Sequence, residues 1–390
     1  MRSVILSAAR TPIGSFLGSL SNFSAPQLGS KVIAEAIRRA SISKEEVSEV
    51  IIGQVLTAGA GQAPGRQAAI YAGLPSSVPC LTINKVCGSG LKALMLADQS
   101  IKCKDSEIVV AGGQESMSSA PYLLFKARNG LKMGNTNLID SMISDGLWDV
   151  YNDIHMGEAA ELCASKYSIS RQEQDDYAIQ SYKRAIEAQN KGFFNDEIFP
   201  IIYETKKGKI IVEKDEEPEK ANFSKFPSLK PVFKQDGTIT AANASSINDG
   251  AAAIVLCSEE KAKELGKKPL ARIIAYSSFS QAPEWFSIAP VGAIKKVLEK
   301  AEMSINKIDL FEINEAFSVV PLAIQKEIAI PMEKMNIAGG ALSLGHPIGA
   351  SGARILITLI YALKRENKRY GLASLCIGGG EAVAMIIENI

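Results

Sequence analysis

The chain has 390 residues and a formal net charge of +1, with 46% hydrophobic and 22% charged residues. This balance is typical of a globular protein with a large core, and no excess of one charge favours nucleic-acid binding. The first residues, MRSVILSAARTP, predict neither a signal peptide nor a transit peptide. The longest apolar run, ILITLIYAL, is shorter than the ~20 residues that a membrane span needs. We therefore expect a protein that binds neither nucleic acid nor membrane.

Six cysteines are scattered singly along the chain, without a CxxC pair or a histidine at ligand spacing. This pattern predicts neither a disulfide framework nor a zinc site, so we expect reduced thiols, a cytoplasmic location and no bound metal. The chain has only two histidines, His155 and His346. Any chemistry that needs an imidazole therefore has two candidates.

The first third of the chain, residues 1–120, predicts an α/β unit. SVILSA, EVIIGQVL and SEIVVAGGQESM are apolar runs typical of buried strands. KVIAEAIRRA and LKALMLADQSI have the periodicity of helices. A strand, a helix and a strand in this order predict a largely parallel sheet with helices on its faces.

The composition changes in residues 121–248, where strong strand patterns disappear. One long helix is predicted, with Ser170 and Glu173 as a capping box at its start and Gly192 after its end. We interpret this region as an inserted, loop-rich domain. The run GAAAIVLCS then completes the first α/β half at about residues 249–268.

Residues 269–390 predict a second α/β half. ARIIAYSSFS reads as a strand, PVGAIKKVLEKA as a helix with Pro290 near its start, and IDLFEINEAF as a strand, a loop and a helix. GASGARILITLIYALK follows as a helix, and YGLASLCIGGGEAVAMIIE as two strands joined by a glycine-rich turn.

The two halves share a weak internal repeat. VCGSGLKALMLA in the first half is similar to GASGARILITLI in the second, because a Ser-Gly pair opens an apolar helix in both. SEIVVAGGQESMSS and ASLCIGGGEAVAMI are a second such pair. Gly-Ser-Gly turns are common, so chance is an alternative explanation. A true repeat predicts two similar halves packed around a pseudo-twofold axis.

Cys87 in NKVCGSG is the first candidate for chemistry. A lone cysteine is more often a small buried apolar residue. At the start of a helix, however, free backbone amides lower the pKa of a thiol, and the neighbouring glycines allow a substrate to approach. The backbone N–H of Cys87 can also point at a developing oxyanion.

Three further candidates lie in the second half. His346 stands in GGALSLGHPIGASGAR, where small neighbours expose an imidazole, although a lone histidine is often structural. Asn314 opens NEAF at a junction between strand and helix, where it could simply be a helix cap. Cys376 precedes three glycines in CIGGG, where it could simply be a core residue.

NKVCGSG, NEAF, GGALSLGHPIGASGAR and CIGGG, in this order, resemble the thiolase family. The resemblance runs from ARTPIG at Ala9 to the final strand and is greatest to members that act on acetyl-CoA. It implies an α/β fold in which two similar βαβ-type halves form a layered α/β/α/β/α core with an inserted loop domain. It also implies a reversible Claisen condensation of two acetyl-CoA to acetoacetyl-CoA and CoA, through an S-acyl cysteine.

The resemblance assigns roles to the candidate residues. Cys87 would accept the acyl group after His346 takes its proton, and the N–H groups of Cys87 and Gly378 would hold the oxyanion. An N–H of His346 and a water held by Asn314 would stabilise the enolate of the second substrate. Cys376 would be the base that removes the α-proton.

Residues for binding coenzyme A follow from the same resemblance, which makes coenzyme A a substrate and implies no permanently bound cofactor. His155, Leu147, Ser245 and Ala241 match contact positions, and Met156 would limit the length of the acyl chain. A surface histidine is the alternative for His155. The segment EEPEKANFSKFPSLKP departs from the family pattern, so no contact is carried over from it.

Other functions are compatible with this pattern. A 3-ketoacyl-CoA thiolase of broader chain length is one, and a ketoacyl-synthase-like enzyme with the same fold and nucleophile is another. A non-catalytic, acyl-lipid-binding relative and a cysteine hydrolase are further alternatives. The family resemblance also implies a homotetramer, built as a dimer of dimers.

Overall fold

A computed structural model describes residues 2–206 and 208–390. Its strands, numbered in chain order, are β1 (Ser3–Arg10), β2 (Gly14–Ser15), β3 (Glu49–Gly53), β4 (Cys80–Ile83), β5 (Ile108–Ser116), β6 (Tyr122–Leu123), β7 (Ile139–Asp140), β8 (Trp148–Asp149), β9 (Ile154–His155), β10 (Ile201–Thr205), β11 (Gly208–Val212), β12 (Asn248–Ser258), β13 (Ala271–Ser280), β14 (Leu310–Ile313), β15 (Tyr370–Ile377) and β16 (Glu381–Asn389). Its α-helices are α1 (Ala25–Ala40), α2 (Pro64–Tyr71), α3 (Ser89–Cys103), α4 (Met156–Lys166), α5 (Arg171–Asn190), α6 (Glu259–Glu264), α7 (Ala289–Lys300), α8 (Val319–Ile328), α9 (Ala341–Leu344) and α10 (Ile348–Arg365).

Ten strands form one sheet in the order β14-β15-β16-β13-β1-β12-β5-β3-β4, with β2 paired to β12. The sheet has two parts that meet where β1 pairs with β13, over only two residue pairs. The amino-terminal part contains β1, β12, β5, β3 and β4, and the carboxy-terminal part contains β13, β16, β15 and β14. The predicted α/β fold class is thus confirmed.

The expectation of a largely parallel sheet is wrong. Only β3 with β4, β3 with β5, and β14 with β15 are parallel pairs within the described sheet. In the first half, β12 lies antiparallel between β1 and β5. The strand-helix-strand pattern predicts the pairing of β3 with β5, but it says nothing about β12, which returns to the sheet after the inserted region.

The internal repeat is visible in the strand pairing. In the first half, β1 is antiparallel to β12, β12 is antiparallel to β5, and β5 is parallel to β3. In the second half, β13, β16, β15 and β14 repeat these three relations in the same order. Helices α3 and α10 then occupy equivalent places before β5 and β15. The similarity of the two glycine-opened helices therefore reflects a true structural repeat.

The core is layered as the family resemblance implies. Helices α3 and α10 lie in the middle, and their apolar side chains form one buried cluster with residues from both parts of the sheet. Helices α1 and α2 cover the opposite face of the amino-terminal strands. Helices α4, α7 and α8 together cover the opposite face of the carboxy-terminal strands.

The two middle helices cross at glycines. A Cβ atom on Gly90 would lie 2.7 Å from the backbone nitrogen of Ala353, and one on Gly352 would lie 2.3 Å from that of Leu91. Such distances are far inside van der Waals contact, so only glycine allows the backbones to approach this closely. The glycine of the Ser-Gly pair near the start of each helix therefore allows α3 and α10 to pack closely together.

Between β5 and β12 lie helices α4 and α5 and three small two-stranded sheets. The predicted capping box is present at the start of α5, where Oγ of Ser170 accepts the N–H of Glu173. Gly192 follows the helix with a φ of 69°, as expected for its C′ position. The domain boundaries at residues 120 and 248 stay a prediction. In the described part of the chain, every helix falls short of the length or apolarity needed to cross a bilayer.

Helices α2 and α4 and strand β4 were not predicted. They are short and lack strong periodicity, and β4 is only partly buried along its length. Helix α1 also begins earlier than its apolar pattern indicates. A capping box of Ser24 and Gln27 and a proline in the first turn start it at Ala25.

Candidate active site

Cys87 lies on a tight turn between β4 and α3. The preceding Val86 has a φ of 45°, a left-handed conformation that costs a β-branched residue energy. Oγ of Ser89 holds the turn, because it accepts the N–H of Lys85 at 2.8 Å and donates to the carbonyl of Val86 at 2.7 Å. A Cβ atom on Gly88 would lie 2.3 Å from Ile377, so glycine lets the turn pack against β15.

Two backbone N–H groups, those of Cys87 itself and Gly378, lie close enough to the thiol of Cys87 to lower its pKa. These are the two donors that the resemblance assigns to an oxyanion. The expected lowering of the thiol pKa is wrong, because burial raises the pKa of Cys87 to about 11 and outweighs both donors. The resting thiol is therefore protonated at neutral pH.

His346 lies just before α10 and is 5% exposed. Its backbone N–H donates to Oδ1 of Asn248 at 2.8 Å. Gly345, with a φ of 104°, turns the chain into this position, and a Cβ atom there would lie 2.4 Å from Cγ of Asn248. Burial lowers the pKa of His346 to about 3, and the charge of Arg354 on α10 adds to the effect. The imidazole is therefore neutral.

Asn314 follows β14 and is fully buried beside the imidazole. Its Nδ2 lies 3.4 Å from Nε2 of His346, while its Oδ1 has no hydrogen-bond partner among the described residues. The neighbouring Glu315 of the NEAF motif has a different task. Its carboxylate accepts hydrogen bonds from Tyr177 at 2.9 Å and from Asn336 at 2.7 Å, so it ties the motif to α5 and to the loop before α9. The amide of Asn314, and not the carboxylate of Glu315, lies beside the imidazole of His346.

Cys376 is the penultimate residue of β15 and is 1% exposed. Burial raises the pKa of its thiol well above the ordinary value, and the nearby Cys87 adds to the increase. Cys376 and Cys87 line the same cavity. The structure thus brings together both thiols and the imidazole that the sequence singled out.

One cavity of about 280 Å³ contains nearly all of the predicted residues. Those that line it are Cys87, Leu147, His155, Met156, Ser245, His346, Cys376 and Gly378. Asn314 is not part of the wall and reaches the site through His346. Ala241 is also outside the wall. It is exposed on a turn that Asn243 and Thr240 close through a 2.8 Å hydrogen bond, and this turn directs it to solvent.

Four of the predicted residues that line the cavity come from the inserted region, namely Leu147, His155, Met156 and Ser245. Leu147 ends a short π-helical turn, Ile143–Leu147, which is the kind of distortion often found at functional sites. His155 caps α4, where its Nδ1 accepts the N–H of Gly157 at 3.0 Å, and Met156 begins the helix. His155 is therefore partly structural, in addition to lining the cavity.

The apolar wall of the cavity was largely missed. Phe233 stacks on His155 with ring centroids 4.6 Å apart, although it follows directly on the segment from which no contact was carried over. Phe317 and Ile348 belong to the NEAF and GHPIGASGAR motifs, so the motifs themselves could have revealed them. Phe286, from the loop after β13, carried no sequence signal.

Glu115, at the end of β5, connects backbone segments next to the site. Its carboxylate accepts the N–H groups of Val55 at 3.0 Å, Leu56 at 3.2 Å and Gly349 at 2.9 Å. Burial raises its pKa to about 7 despite these donors. Since Gly349 lies in the first turn of α10, this carboxyl group joins the helix that follows His346 to the loop after β3.

Among the described residues, no group of three or more histidine, cysteine, aspartate or glutamate side chains is placed to hold a metal ion. The six cysteines, all within the described ranges, are free. The chemistry available to the cavity is that of a thiol nucleophile, a neutral imidazole base, a second thiol and two nearby backbone N–H groups.

A site of this kind, at the centre of a duplicated α/β core, defines an enzyme that transfers acyl groups through cysteine. Two family models match the chain, the thiolase N-terminal domain over residues 3–260 and the thiolase C-terminal domain over residues 267–389. The chain belongs to the thiolase family.

Several relatives are similar over their full length. An acetyl-CoA acetyltransferase of Cupriavidus necator is 52% identical over 388 residues, which cover 99% of this chain and 99% of the relative. Acetyl-CoA acetyltransferase 2 of Arabidopsis thaliana is 53% identical over 387 residues, or 98% of this chain and 96% of the relative. A mitochondrial acetyl-CoA acetyltransferase of Mus musculus is 53% identical over 389 residues, or 99% and 91%.

The raised pKa of Cys87 predicts how alkylation depends on pH. Because only the thiolate reacts, the rate at which iodoacetamide labels Cys87 should rise ~10-fold per pH unit from pH 7 to 10. Mass spectrometry of the peptide that contains Cys87 measures this rate. The Cys87→Ser variant controls for labelling elsewhere, such as at the exposed Cys103. A rate that levels off between pH 7 and 8 would instead mean that the resting pair is a thiolate and an imidazolium.

Proposed function

We propose that this chain catalyses the reversible condensation of two acetyl-CoA to acetoacetyl-CoA and CoA. The observation that carries the proposal is the convergence of Cys87, His346 and Cys376 on one cavity, with the N–H groups of Cys87 and Gly378 close to the first thiol. Membership of the thiolase family and the names of the relatives support the same reaction.

In the first half-reaction, His346 takes the proton of Cys87 as the sulfur attacks the carbonyl of acetyl-CoA. The N–H groups of Cys87 and Gly378 stabilise the oxyanion. The departing sulfur of CoA takes the proton of Cys376, so Cys376 becomes a thiolate while His346 keeps the proton of Cys87. The bond broken and the bond formed are both thioesters, so the step is close to balanced in energy. A neutral thiol beside a neutral imidazole is the correct starting state for this transfer.

In the second half-reaction, the thiolate of Cys376 removes a proton from the methyl group of another acetyl-CoA. The enolate, held near His346 and Asn314, attacks the acetyl group on Cys87. The sulfur of Cys87 leaves and takes its proton back from His346.

Coenzyme A is the substrate that the rest of the cavity fits, and the proposed reaction needs no permanently bound cofactor. His155, Leu147 and Ser245 lie in the cavity wall, where they can contact the pantetheine arm of CoA. Ala241 is exposed nearby in sequence and stays a prediction as a contact. We further propose that the enzyme acts in the cytoplasm and in fatty acid metabolism, and its free thiols support a reducing compartment.

We also propose that the protein is a homotetramer. Strand β4 is at the edge of the large sheet and only partly buried, and Leu81 on it is 43% exposed. Apolar side chains near β6 and β7 are exposed as well, including Phe125 at 59% and Leu138 at 62%. An open edge and exposed apolar residues are features that a second copy of the chain would cover. Light scattering distinguishes a particle of two chains from one of four.

The runner-up functions differ in a simple assay of acetoacetyl-CoA. We expect its cleavage to require free CoA, with acetyl-CoA as the product, because the acetyl group on Cys87 is protected from water in a narrow cavity. Chromatography of the CoA esters measures both. Cleavage at an equal rate without CoA would identify a hydrolase, and binding without turnover would identify a non-catalytic lipid-binding relative.

The two thiols should fail at different steps when mutated. Acetyl-CoA should add an acetyl mass to wild type but not to Cys87→Ser, whereas Cys376→Ser should still be acetylated and should lose exchange of α-protons with solvent. Intact-mass spectrometry and deuterium uptake into acetyl-CoA measure these steps. The matched control is Cys163→Ser, which changes a fully buried thiol outside the cavity wall. Normal deuterium uptake by Cys376→Ser would exclude Cys376 as the base.

Met156 should restrict the acyl chain. It is 7% exposed, and its Sδ would lie 3.6 Å from a Cβ atom on Gly378, beside the N–H group proposed to hold the oxyanion. In Met156→Ala, the ratio of kcat/KM for 3-ketohexanoyl-CoA to that for acetoacetyl-CoA should rise ~10-fold or more, since each methylene is worth ~1–3 kcal/mol. Met142→Ala is the control, because Met142 is also 7% exposed but outside the wall. An unchanged ratio would favour a thiolase of broader chain length.

A further inference from the structure

Ser351, in the first turns of α10, hydrogen bonds to the imidazole of His346. Its Oγ lies 2.5 Å from Nδ1 of His346 and 2.9 Å from the carbonyl oxygen of Pro347. Ser351 is fully buried. A serine hydroxyl has one proton to donate, so this proton goes either to the carbonyl or to Nδ1.

Counting hydrogen bonds decides between these two arrangements. If Ser351 donates to Pro347, then Nδ1 of His346 must carry a proton and donate to Oγ, and both contacts are hydrogen bonds. If Ser351 donates to Nδ1 instead, its oxygen faces the carbonyl oxygen of Pro347 at 2.9 Å without a proton between them. The first arrangement has one more hydrogen bond, which is worth ~1 kcal/mol, and it avoids the repulsion of two oxygens.

The other half of the fold contains the same arrangement with no ambiguity. Ser89 occupies in α3 the place that Ser351 has in α10, next to the glycine at which the two helices cross. Oγ of Ser89 accepts from the backbone N–H of Lys85, which can only donate, so its own proton goes to the carbonyl of Val86. The repeat therefore supports the same orientation for Ser351, with Nδ1 of His346 in place of the backbone N–H.

We propose that Ser351 is a positioning residue that holds His346 in the tautomer protonated at Nδ1, with Nε2 unprotonated in the free enzyme. Its catalytic meaning rests on the function proposed above. Because the buried ring is neutral, it carries a single N–H, and Ser351 occupies it. Nε2, next to Nδ2 of Asn314, is then the only ring nitrogen that can take the proton of Cys87.

The tautomer also determines the order in which Nε2 first accepts a proton and then donates a hydrogen bond. Nε2 accepts the proton from the sulfur of Cys87 as that sulfur bonds to the acyl carbon. It keeps this proton while Cys376 protonates the departing sulfur of CoA, and it returns the proton to Cys87 when that sulfur leaves. Nε2 can donate a hydrogen bond to the enolate oxygen of the second substrate only while it is protonated. Ser351 can accept from Nδ1 throughout, so the ring need not turn between the two duties.

The second histidine is a built-in reference. Nδ1 of His155 accepts the backbone N–H of Gly157 at 3.0 Å, and a backbone N–H can only donate. His155 must therefore carry its proton on Nε2 when it is neutral. The only two histidines of the chain are thus expected in opposite tautomers.

Solid-state NMR of the protein labelled with ¹⁵N-histidine tests the proposal without substrate. At pH 8, one ring should be protonated at Nδ1 and the other at Nε2. The signals that disappear in His155→Gln belong to His155, and those that remain should show His346 protonated at Nδ1. Protonation of His346 at Nε2, or at both nitrogens, would overturn the proposal. This result does not depend on any activity, so it is separate from the test of acetoacetyl-CoA cleavage.

Ser351→Ala tests whether the serine holds the tautomer. The ring of His346 should give signals of a mixture or of the Nε2–H form, and kcat for cleavage of acetoacetyl-CoA should fall ~100-fold with KM little changed. Ser351→Thr, which keeps the hydroxyl, should recover most of the rate. Thr358→Val is the matched control, because it removes a buried hydroxyl of α10 that bonds to Glu197 at 3.1 Å and not to the ring. A Ser351→Ala protein with an unchanged tautomer and unchanged kcat would overturn the positioning role.

Discussion

The close crossing of α3 and α10 at Gly90 and Gly352 is the contact on which the site depends. Cys87 immediately precedes one of these helices, and His346 lies just ahead of the other. Because the helices meet near their starts, the turns before them are brought to one cavity. A side chain at either glycine would separate the helices and, with them, the thiol and the imidazole. The core packing of the duplicated fold and the geometry of its site are therefore one arrangement.

Burial, more than charge, sets the chemistry of the resting site. Backbone N–H groups from the turn before α3 and from Gly378 after β15 act to lower the pKa of Cys87, yet desolvation raises it. Burial also lowers the pKa of His346. Each shift favours the uncharged form. Charge then develops only when a substrate brings a carbonyl to the two waiting N–H groups, which is where preorganised donors are most effective. A free thiolate, open to oxidants and alkylating agents, is avoided between turnovers.

The sequence predicts local features of this protein well and long-range ones poorly. The capping box of Ser170 and the glycine-opened helices are local, and they appear as expected. The place of β12 between β1 and β5 depends on contacts across more than a hundred residues, so the strand direction was wrong. The catalytic candidates were found because motifs mark them. Glu115 and Phe233 were missed because their partners come from distant segments. The direction in which the pKa of the Cys87 thiol changes depends on how deeply the thiol is buried, and the sequence does not show this depth.

The amino-terminal part of the sheet ends in an additional strand, β4, which has no counterpart in the carboxy-terminal part. The opposite end, β14, is fully buried, and its Phe311 is bridged to Met335. Only one end of the sheet is therefore free to pair with another chain. A chain with one free edge strand can pair that strand with the same strand of a second chain across a twofold axis, and no free edge is then left to extend the sheet. Association through β4 therefore ends at a dimer and cannot continue into a fibre.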